Sequence, residues 1–346
     1  MLPGTWLVGG LGASMVLLAV LMAMVRMRIG PLAIGATAMY ATGTAAVILR
    51  YLCRGDGARW RNVVRDYSEY AGLFVAVCVM GAMASYPIAA ANHGFADARL
   101  EAIDQTLRFN WMAWYDVVAA HPMLQILGRT VYQSIFVTPL ILFGYFAFAG
   151  RRAEARLFIV SFWIAAVLTL ALFSLMPAQG PLAFLERGRI PYMPVSALYQ
   201  AELIPALRDH ALRSVDPGSL HGLVCAPSFH AASAILYMAA AWSAKPLRWP
   251  LLALNAAMLL ATPVEGTHYL IDIISGIVVA LVALSGATIL ARFSHDLARG
   301  KAYPDRVSSP NLFDSEAFAS ARAARTARNR DSQELPTPTP RRARLP

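Results

Sequence analysis

Continuous apolar blocks run through this 346-residue sequence, and several reach the roughly 20 residues that an α-helix needs to cross a bilayer. Hydrophobic residues make up 58% of the chain and charged residues 14%, whereas a water-soluble domain normally carries about 25% charged residues. Backbone polar groups inside a bilayer must be satisfied within their own segment, which favours helices. The sequence therefore predicts an all-α, polytopic membrane helical bundle and excludes soluble globular, collagen-like and wholly disordered chains.

Eight apolar stretches are long enough to be transmembrane helices. Their approximate limits are residues 5–26, 31–52, 70–91, 130–149, 157–177, 226–244, 249–265 and 268–291. No basic residue precedes the first stretch, which is also longer than the apolar core of a signal peptide. We therefore expect it to be an uncleaved anchor.

Arginine and lysine residues concentrate in the loops that follow spans two, four and six, and in the tail after residue 292. With an even number of spans these segments share one side, which the positive-inside rule makes cytoplasmic. Both termini are then cytoplasmic, in a cell inner membrane, and segments 92–129 and 178–225 lie outside. Arg26 and Arg28 fall on the outer side and are exceptions. Because the net charge of +10 follows this pattern, we expect no nucleic-acid partner.

The two outer segments differ in composition. The first carries an aromatic cluster at 109–115, which is typical either of a headgroup boundary or of a buried helix under a cap. The second is rich in proline and glycine and is expected to be an irregular loop that shapes a cleft. The tail from about 305 to 346 is rich in Pro, Ser, Ala and Arg, so we expect it to be disordered, either attracted to anionic lipid or without a task.

Two histidines stand at the outer starts of predicted spans. His230 lies in the run APSFHAAS at 226–233, and His268 lies in the run EGTHYLID at 265–272. Because the chain crosses inward and back between them, turning at 245–248, both histidines are expected on the same side. Span seven has roughly 15 apolar residues, which cover about 22 Å of a hydrocarbon core about 30 Å thick. The pair is therefore expected slightly below the outer headgroup plane, a depth that suits a lipid substrate.

Asp272 follows His268 by four residues, which on a helix places the two side chains on one face. A carboxylate there can accept the Nδ1 proton of His268 and leave Nε2 as a free lone pair. Such an imidazole is a competent nucleophile towards phosphorus, and His230 can protonate the departing oxygen as a general acid. Either histidine alone is more often a structural polar group, but the shared side, the shared depth and the carboxylate together favour catalysis.

The same residues resemble the type-2 phosphatidic acid phosphatase and vanadium haloperoxidase superfamily. PSFH at 227–230 is similar to its P-S-x-H motif, and HYLID at 268–272 is similar to its H-x-x-x-D motif. The resemblance covers spans three to eight, so it implies a six-helix phosphatase-like core to which the first two spans are an addition. It also implies four roles and no metal cofactor: phosphoryl acceptor, acid/base, orienting carboxylate and donor to phosphoryl oxygens. These fall on His268, His230, Asp272 and Ser228 in that order.

The sequence departs from the superfamily pattern in its cationic residues. The family arginine six residues before the nucleophilic histidine is Thr262 here, and the Lys-x6-Arg-Pro clamp is not visible. A transferring phosphoryl group still needs cationic compensation. The outer-side candidates are Arg129, Arg187, Arg189, Arg208 and Arg213. We favour Arg208 and Arg129, against the alternative that all of them are solvated loop residues.

Loss of the clamp makes the chain more similar to the branch that contains the inositol phosphorylceramide synthases. Members of that branch pass a phosphoryl headgroup from one lipid to the hydroxyl of another. Glu265, three residues before His268, is expected either to bind a polyol or ammonium headgroup or to cap the turn.

The sequence thus predicts an enzyme, a lipid phosphatase or phosphotransferase at the outer membrane face, with a phosphorylated lipid and the bilayer as its partners. The alternative is a non-enzymatic transporter or scaffold in which the His/Asp cluster relays protons or ions. That alternative predicts ionisable groups spread through several spans, whereas here they concentrate at one outer site.

We expect three regions along the chain. They are residues 1–69 with two additional helices and a basic loop, 70–292 with the six-helix core, and 293–346 with a basic tail. The three cysteines, Cys53, Cys78 and Cys225, show no paired spacing, so they predict neither a disulfide nor a thiolate metal site.

Overall fold

A computed structural model describes residues 4–30, 34–53, 58–186 and 188–301. Most of this part is α-helical, as the apolar blocks predict. Arg187 and most of the predicted basic tail lie outside the described residues.

The helices follow one another with short connections. In chain order they are α1 (Gly4–Met24), α2 (Ile34–Leu52), α3 (Arg59–Ala91), α4 (Asp97–Thr106), α5 (Trp111–Ala120), α6 (Pro122–Gln133), α7 (Thr138–Phe148), α8 (Arg152–Leu175), α9 (Pro181–Leu185), α10 (Tyr199–Arg208), α11 (Phe229–Ser243), α12 (Arg248–Glu265) and α13 (Leu270–Lys301). Two 3-10 turns, Ser134–Phe136 and Lys245–Leu247, and two short strands, β1 (Arg28–Ile29) and β2 (Ser214–Val215), complete the described elements.

Among the described residues, five helical segments are long and apolar enough to cross a membrane, and a bent pair makes six if it is one span. The five are Trp6–Met24, Arg59–Ala91, Arg152–Leu175, Lys245–Glu265 and Leu270–Asp296, and the pair is Pro122–Phe136 with Thr138–Phe148, bent by 44°. Predicted spans 31–52 and 226–244 correspond to α2 and α11, which are not in this set. The apolar count predicted that the short helix beside the histidines is span seven, which is α12 and has 18 residues. In the structure the shorter helix is α11, which has 15 residues.

The interior of the bundle is aromatic. Phe74 of α3 packs against Phe143 of α7 and Phe162 of α8, with ring centroids 5.4 and 4.5 Å apart. Phe158 joins them from α8, and all four rings are buried. Such pairs contribute beyond their buried area, so α3, α7 and α8 form the support against which α11 packs.

Ion pairs tie α2 and α8 to α3 at one end of the bundle, which we call the basic end. They are Arg50–Glu69, Arg152–Asp66 and Arg156–Glu69, and Arg65 pairs with Asp66 within α3. The guanidinium of Arg151 also donates to the carbonyl of Ser243 at the end of α11. The basic loops after predicted spans two, four and six thus meet at this end.

The opposite end, which we call the histidine end, gathers the segments 92–97, 178–180, 208–228 and 265–270. Arg28 of β1 pairs in parallel with Ser214 of β2, and Asn92 accepts a 2.7 Å hydrogen bond from Arg208. Arg28, an exception in the charge pattern, therefore lies at the histidine end and not at the basic end.

The aromatic cluster at 109–115 lies at the start of α5, which buries one face at this end while Trp114 is exposed. Trp111 is 1% exposed and donates from Nε1 to the carbonyl of Pro263 at 2.9 Å. The ring of Tyr115, which is fully buried, stacks on it at 5.2 Å. Of the two interpretations of this cluster, the structure favours a buried helix for these two rings.

Candidate active site

His268 lies in the turn between α12 and α13 and precedes the helix that holds Asp272. Its backbone N–H donates to the carbonyl of Pro263 at 3.0 Å, and α13 begins at Leu270. The prediction that both side chains lie on one helical face is therefore wrong in its local geometry. The ring of His268 is 3% exposed, so the turn delivers a buried imidazole.

Asp272 reaches back from the first turn of α13 towards this imidazole. Its Oδ2 accepts the backbone N–H of Tyr269 at 3.0 Å, which is how an acidic residue at the third helical position caps a helix start. The same oxygen lies 3.7 Å from Nδ1 of His268, which is longer than a hydrogen bond. The capping bond holds the carboxylate beside the ring.

Two further aspartates fasten this turn, and the sequence analysis missed both. Asp104 of α4 accepts the backbone N–H groups of Leu270 and Ile271 at 2.7 and 2.9 Å, so it caps α13 from another helix. Asp97 accepts the hydroxyl of Tyr269 at 3.0 Å and the N–H groups of Gln179 and Gly180, both at 3.0 Å. Acidic residues in an outer segment gave no sign of this role, because their partners lie more than 80 residues away.

Ser228 caps α11 and brings that helix start against α13. Its side-chain oxygen accepts the N–H of Ala231 at 3.3 Å, and its own N–H donates to the carbonyl of Asp272 at 2.9 Å. A Cβ on Gly276 would lie 2.2 Å from the carbonyl oxygen of Ser228. Only glycine permits this approach, so Gly276 is a site-building residue that the sequence analysis did not single out.

His230, in the first turn of α11, is paired with Tyr132 of α6. The Tyr132 hydroxyl lies 3.0 Å from Nδ1 of His230, and the rings stack with centroids 3.9 Å apart. A Cβ on Gly266 would lie 2.9 Å from that hydroxyl and 2.5 Å from Cδ2 of His268. Tyr132 therefore lies near both histidines, which the structure brings to one place.

Cys225 is the third buried group beside His268 and Asp272. Its Sγ lies 3.4 Å from Oδ2 of Asp272 and 3.9 Å from Nδ1 of His268. The three donor atoms lie within 4.8 Å of one another. The prediction that the cysteines form no thiolate metal site rested on sequence spacing, and that spacing could not show this approach.

Glu265 and Arg129 belong to one hydrogen-bonded chain. The Tyr192 hydroxyl donates to Oε1 of Glu265 at 2.7 Å and accepts from Nε of Arg129 at 2.9 Å. Oε2 of Glu265 accepts the N–H of Val195 at 3.2 Å. Glu265 is 1% exposed whereas Arg129 is exposed, so the chain runs from the protein interior to its surface. Arg129 is also one helical turn from Tyr132 on α6.

Arg208 is engaged away from the imidazoles. Its Nη2 donates to Oδ1 of Asn92 and to the carbonyl of Gly94, both at 2.7 Å, and its guanidinium lies 4.4 Å from the ring centre of Phe95. Arg208 thus holds α10 against the end of α3. Thr262, where the family has an arginine, is buried and donates to the carbonyl of Met258.

Burial shifts the pKa of several groups around the turn. Desolvation raises the pKa of the Asp97 and Asp104 carboxyls, although the N–H groups that they accept act in the opposite direction. It raises the pKa of Tyr192 to about 12 and, together with nearby carboxylates, the pKa of Cys225 well above its ordinary value. It lowers the pKa of Arg208. Desolvation dominates these shifts, as expected for a poorly solvated site.

Comparison with known families finds a match over more than half of the chain. Residues 98–286 match the PAP2 superfamily, and this range contains both histidines, Asp272, Tyr132 and Cys225. Among curated proteins and among solved structures, none matches the chain. The described helices include several long and apolar enough to cross a membrane. The chain therefore belongs to the PAP2 superfamily, and this membership supports a phosphatase-type activity at a membrane.

Proposed function

We propose that the protein transfers a phosphoryl group from a phosphorylated lipid through a phosphohistidine on His268. The observation that carries this proposal is the convergence of His268, Asp272, Ser228 and His230 at one end of the bundle, with Tyr132 hydrogen-bonded to His230. These four residues are the ones to which the superfamily resemblance assigns the catalytic roles.

In the first half-reaction Nε2 of His268 forms a bond to phosphorus. The bond from phosphorus to the lipid oxygen breaks, and its electron pair stays on that oxygen. Asp272 stabilises the positive charge that develops on the imidazole, from a position 3.7 Å from Nδ1, a distance that can shorten when substrate binds. The leaving oxygen takes its proton from Nε2 of His230.

Tyr132 keeps His230 in the required state. When the Tyr132 oxygen accepts the Nδ1 proton of His230, the Nε2 position alone exchanges protons with the substrate. In the second half-reaction an incoming hydroxyl gives its proton to that nitrogen, and its oxygen bonds to phosphorus. The electron pair of the broken P–N bond then returns to His268.

Two features compensate the phosphoryl charge in place of the missing clamp. The N-terminus of α11 starts beside the His268 turn, because Ser228 donates to the Asp272 carbonyl, and a helix N-terminus offers backbone N–H groups to an anion. Arg129 supplies the cation, since it is exposed and one turn from Tyr132. We propose that Arg129 contacts phosphate, that Glu265 holds it through Tyr192, and that Arg208 supports the fold.

The acceptor in the second half-reaction is water for a phosphatase and a lipid hydroxyl for a phosphotransferase. We propose transfer to a lipid hydroxyl, as in the inositol phosphorylceramide synthase branch. Thr262 supports this choice. It occupies the position of the family arginine, and because its hydroxyl donates to its own helix it does not replace that arginine as a phosphate ligand.

A shallow position in the outer leaflet suits this chemistry. The 15 residues of α11 rise about 22 Å, less than a hydrocarbon core of about 30 Å. If Ser243 lies at the cytoplasmic boundary, His230 lies below the outer headgroups. We propose that the basic end is cytoplasmic and the histidine end outer, and that residues 70–292 form the catalytic core behind two additional helices.

Detergent-purified protein and a panel of fluorescent lipid phosphates test this function. We expect wild type to release phosphate or form a new lipid, whereas His268→Ala does neither and Asp272→Asn does so more slowly. Addition of diacylglycerol or ceramide separates the acceptors, because transfer yields a new phospholipid at the expense of free phosphate. Lipid flux without either product would instead favour the transporter alternative.

A further inference from the structure

Three chemically different donor atoms converge beneath the His268 turn. They are Sγ of Cys225, Nδ1 of His268 and Oδ2 of Asp272. The S···O separation is 3.4 Å, the S···N separation 3.9 Å and the N···O separation 3.7 Å. The N···O separation exceeds that of a hydrogen bond, whereas the Cys225 thiol donates to Oδ2 of Asp272, so His268 and Asp272 lie beside the thiol without a direct bond to each other.

The three separations resemble the edges of a tetrahedral zinc site. With Zn–S at about 2.3 Å and Zn–N and Zn–O at about 2.0–2.1 Å, tetrahedral angles give S···N and S···O edges of about 3.5 Å and an N···O edge of about 3.3 Å. The observed edges differ from these by no more than about 0.4 Å. The carbonyl oxygen of Thr267 lies 3.6 Å from Sγ of Cys225.

An unpartnered oxygen points to the same conclusion. Oδ1 of Asp272 is buried and has no hydrogen-bond partner among the described residues, and a buried carboxylate oxygen in that condition is costly. Oδ2 is fixed by the N–H of Tyr269, as outer-shell donors fix metal-binding carboxylates. A cation bound by Asp272 would compensate the negative charge of the whole carboxylate.

We propose that Cys225, His268 and Asp272 bind Zn²⁺ or a similar thiol-seeking divalent cation, and that this cation inhibits the enzyme. On binding, a metal–sulfur bond replaces the Cys225 S–H bond and that proton passes to solvent, while the Nδ1 proton of His268 moves to Nε2 and leaves Nδ1 free to bind the cation. A cation on Nδ1 withdraws electron density from Nε2 and takes the position of the proton that Asp272 would otherwise accept. The inhibition rests on the proposed function, whereas the metal binding does not.

The binding test uses Co²⁺ as a spectroscopic probe. Full-length protein is purified in detergent, any polyhistidine tag is removed, and the sample is treated with a chelator and desalted. We expect one Co²⁺ per chain with a thiolate-to-cobalt charge-transfer band, and we expect Zn²⁺ to displace it. Cys225→Ser should abolish the band. Cys78→Ser is the matched control, because it removes a cysteine from α3 and should leave the band unchanged.

The inhibition test uses the same proteins. Zn²⁺ should suppress turnover of lipid phosphate by wild type and by Cys78→Ser, and a chelator should restore it. Cys225→Ser, measured relative to its own rate without Zn²⁺, should resist Zn²⁺ at concentrations about 100-fold higher, since it loses the soft ligand. A thermal unfolding curve like that of wild type establishes that this variant is folded.

The outcomes are separable. If wild type shows no charge-transfer band, or if the band persists in Cys225→Ser, the metal site is refuted. If Co²⁺ binds as expected but Zn²⁺ leaves turnover unchanged, the inhibitory role is refuted. If metal binds but no lipid phosphate is turned over, the site stands and the proposed function fails.

Discussion

The hydroxyl oxygen of Tyr132 lies 3.0 Å from Nδ1 of His230, and the two rings stack with an interplanar angle of 12°. The tyrosine thus controls one ring nitrogen and the orientation of the ring plane together. Because a histidine has two nitrogens, fixing one of them decides which proton the other can exchange. Tyr132 is therefore a positioning residue that acts through His230.

Tyr132→Phe should slow turnover without unfolding the protein. The phenyl ring keeps the stacking but removes the oxygen, so we expect kcat to fall by about tenfold or more with little change in KM. The pH–rate profile should also shift on the limb that reports His230. A steady-state assay over a pH range measures both effects.

Tyr237→Phe is the matched control for that substitution. Tyr237 is buried in the bundle core and donates to the carbonyl of Ile135 at 3.0 Å. Its loss should lower stability by about 1 kcal/mol and leave the pH profile unchanged. Equal pH profiles for Tyr132→Phe and wild type would refute the positioning role.

A methyl group at Gly276 should disrupt the site, whereas one at Gly286 should not. A Cβ at Gly276 would meet the Ser228 carbonyl oxygen at 2.2 Å and Cβ of Ala231 at 3.1 Å, so Gly276→Ala must push α11 from α13 at a cost of about 1–3 kcal/mol. A Cβ at Gly286 meets only Cδ1 of Ile164, at 4.0 Å. Unfolding temperature and turnover should both fall for the first variant alone; equal behaviour of the two would contradict the close approach.

Removal of the cap on α13 should lower stability. Asp104→Ala deletes an acceptor of the N–H groups of Leu270 and Ile271, and we expect a loss of about 2–3 kcal/mol. Gln105→Ala, on the exposed face of the same helix, should change stability by less than about 0.5 kcal/mol. Thermal unfolding in detergent compares them, and the cap has no such role if the two variants melt together.

Substitutions of the two favoured arginines should have different effects. Arg129→Ala should lower kcat/KM for a lipid phosphate by about 10–100-fold while the protein remains folded. Arg208→Ala should lower the unfolding temperature, because it leaves Asn92 and the Gly94 carbonyl without their donor, and its activity per folded molecule should stay close to that of wild type. The reverse pattern would assign phosphate binding to Arg208.

Much of the fold could be predicted from the sequence, because apolar length alone restricts a chain in a bilayer to helices. The shared end of His230 and His268 followed from counting crossings, without tertiary information. The local geometry at His268 could not be predicted from the sequence. An i, i+4 offset places two side chains on one face only when both residues lie inside the helix, and His268 precedes the helix start. The helix begins only at Leu270, where Asp104 caps it from a distant segment.

Tyr132, Cys225 and Gly276 escaped sequence analysis for a related reason. Each acts through a partner in another element, and each is a residue type that apolar segments tolerate without a function. The side chain of Arg208 looked suitable by charge and side, yet its donors are used by Asn92 and Gly94. Arg129 also uses donors, on the Tyr192 hydroxyl and the Met193 carbonyl. The two arginines differ in where their partners lead, because Tyr192 connects Arg129 to Glu265.

The role of His268 as phosphoryl acceptor is tested most directly by identifying the phosphorylated residue. Protein mixed with a ³²P-labelled lipid phosphate is quenched within the first turnover, digested and analysed for label that is stable to base and labile to acid. We expect phosphohistidine at residue 268 in wild type and none in His268→Ala. We expect Asp272→Asn to form it more slowly. Label on another residue, or turnover retained in His268→Ala, would contradict the central claim.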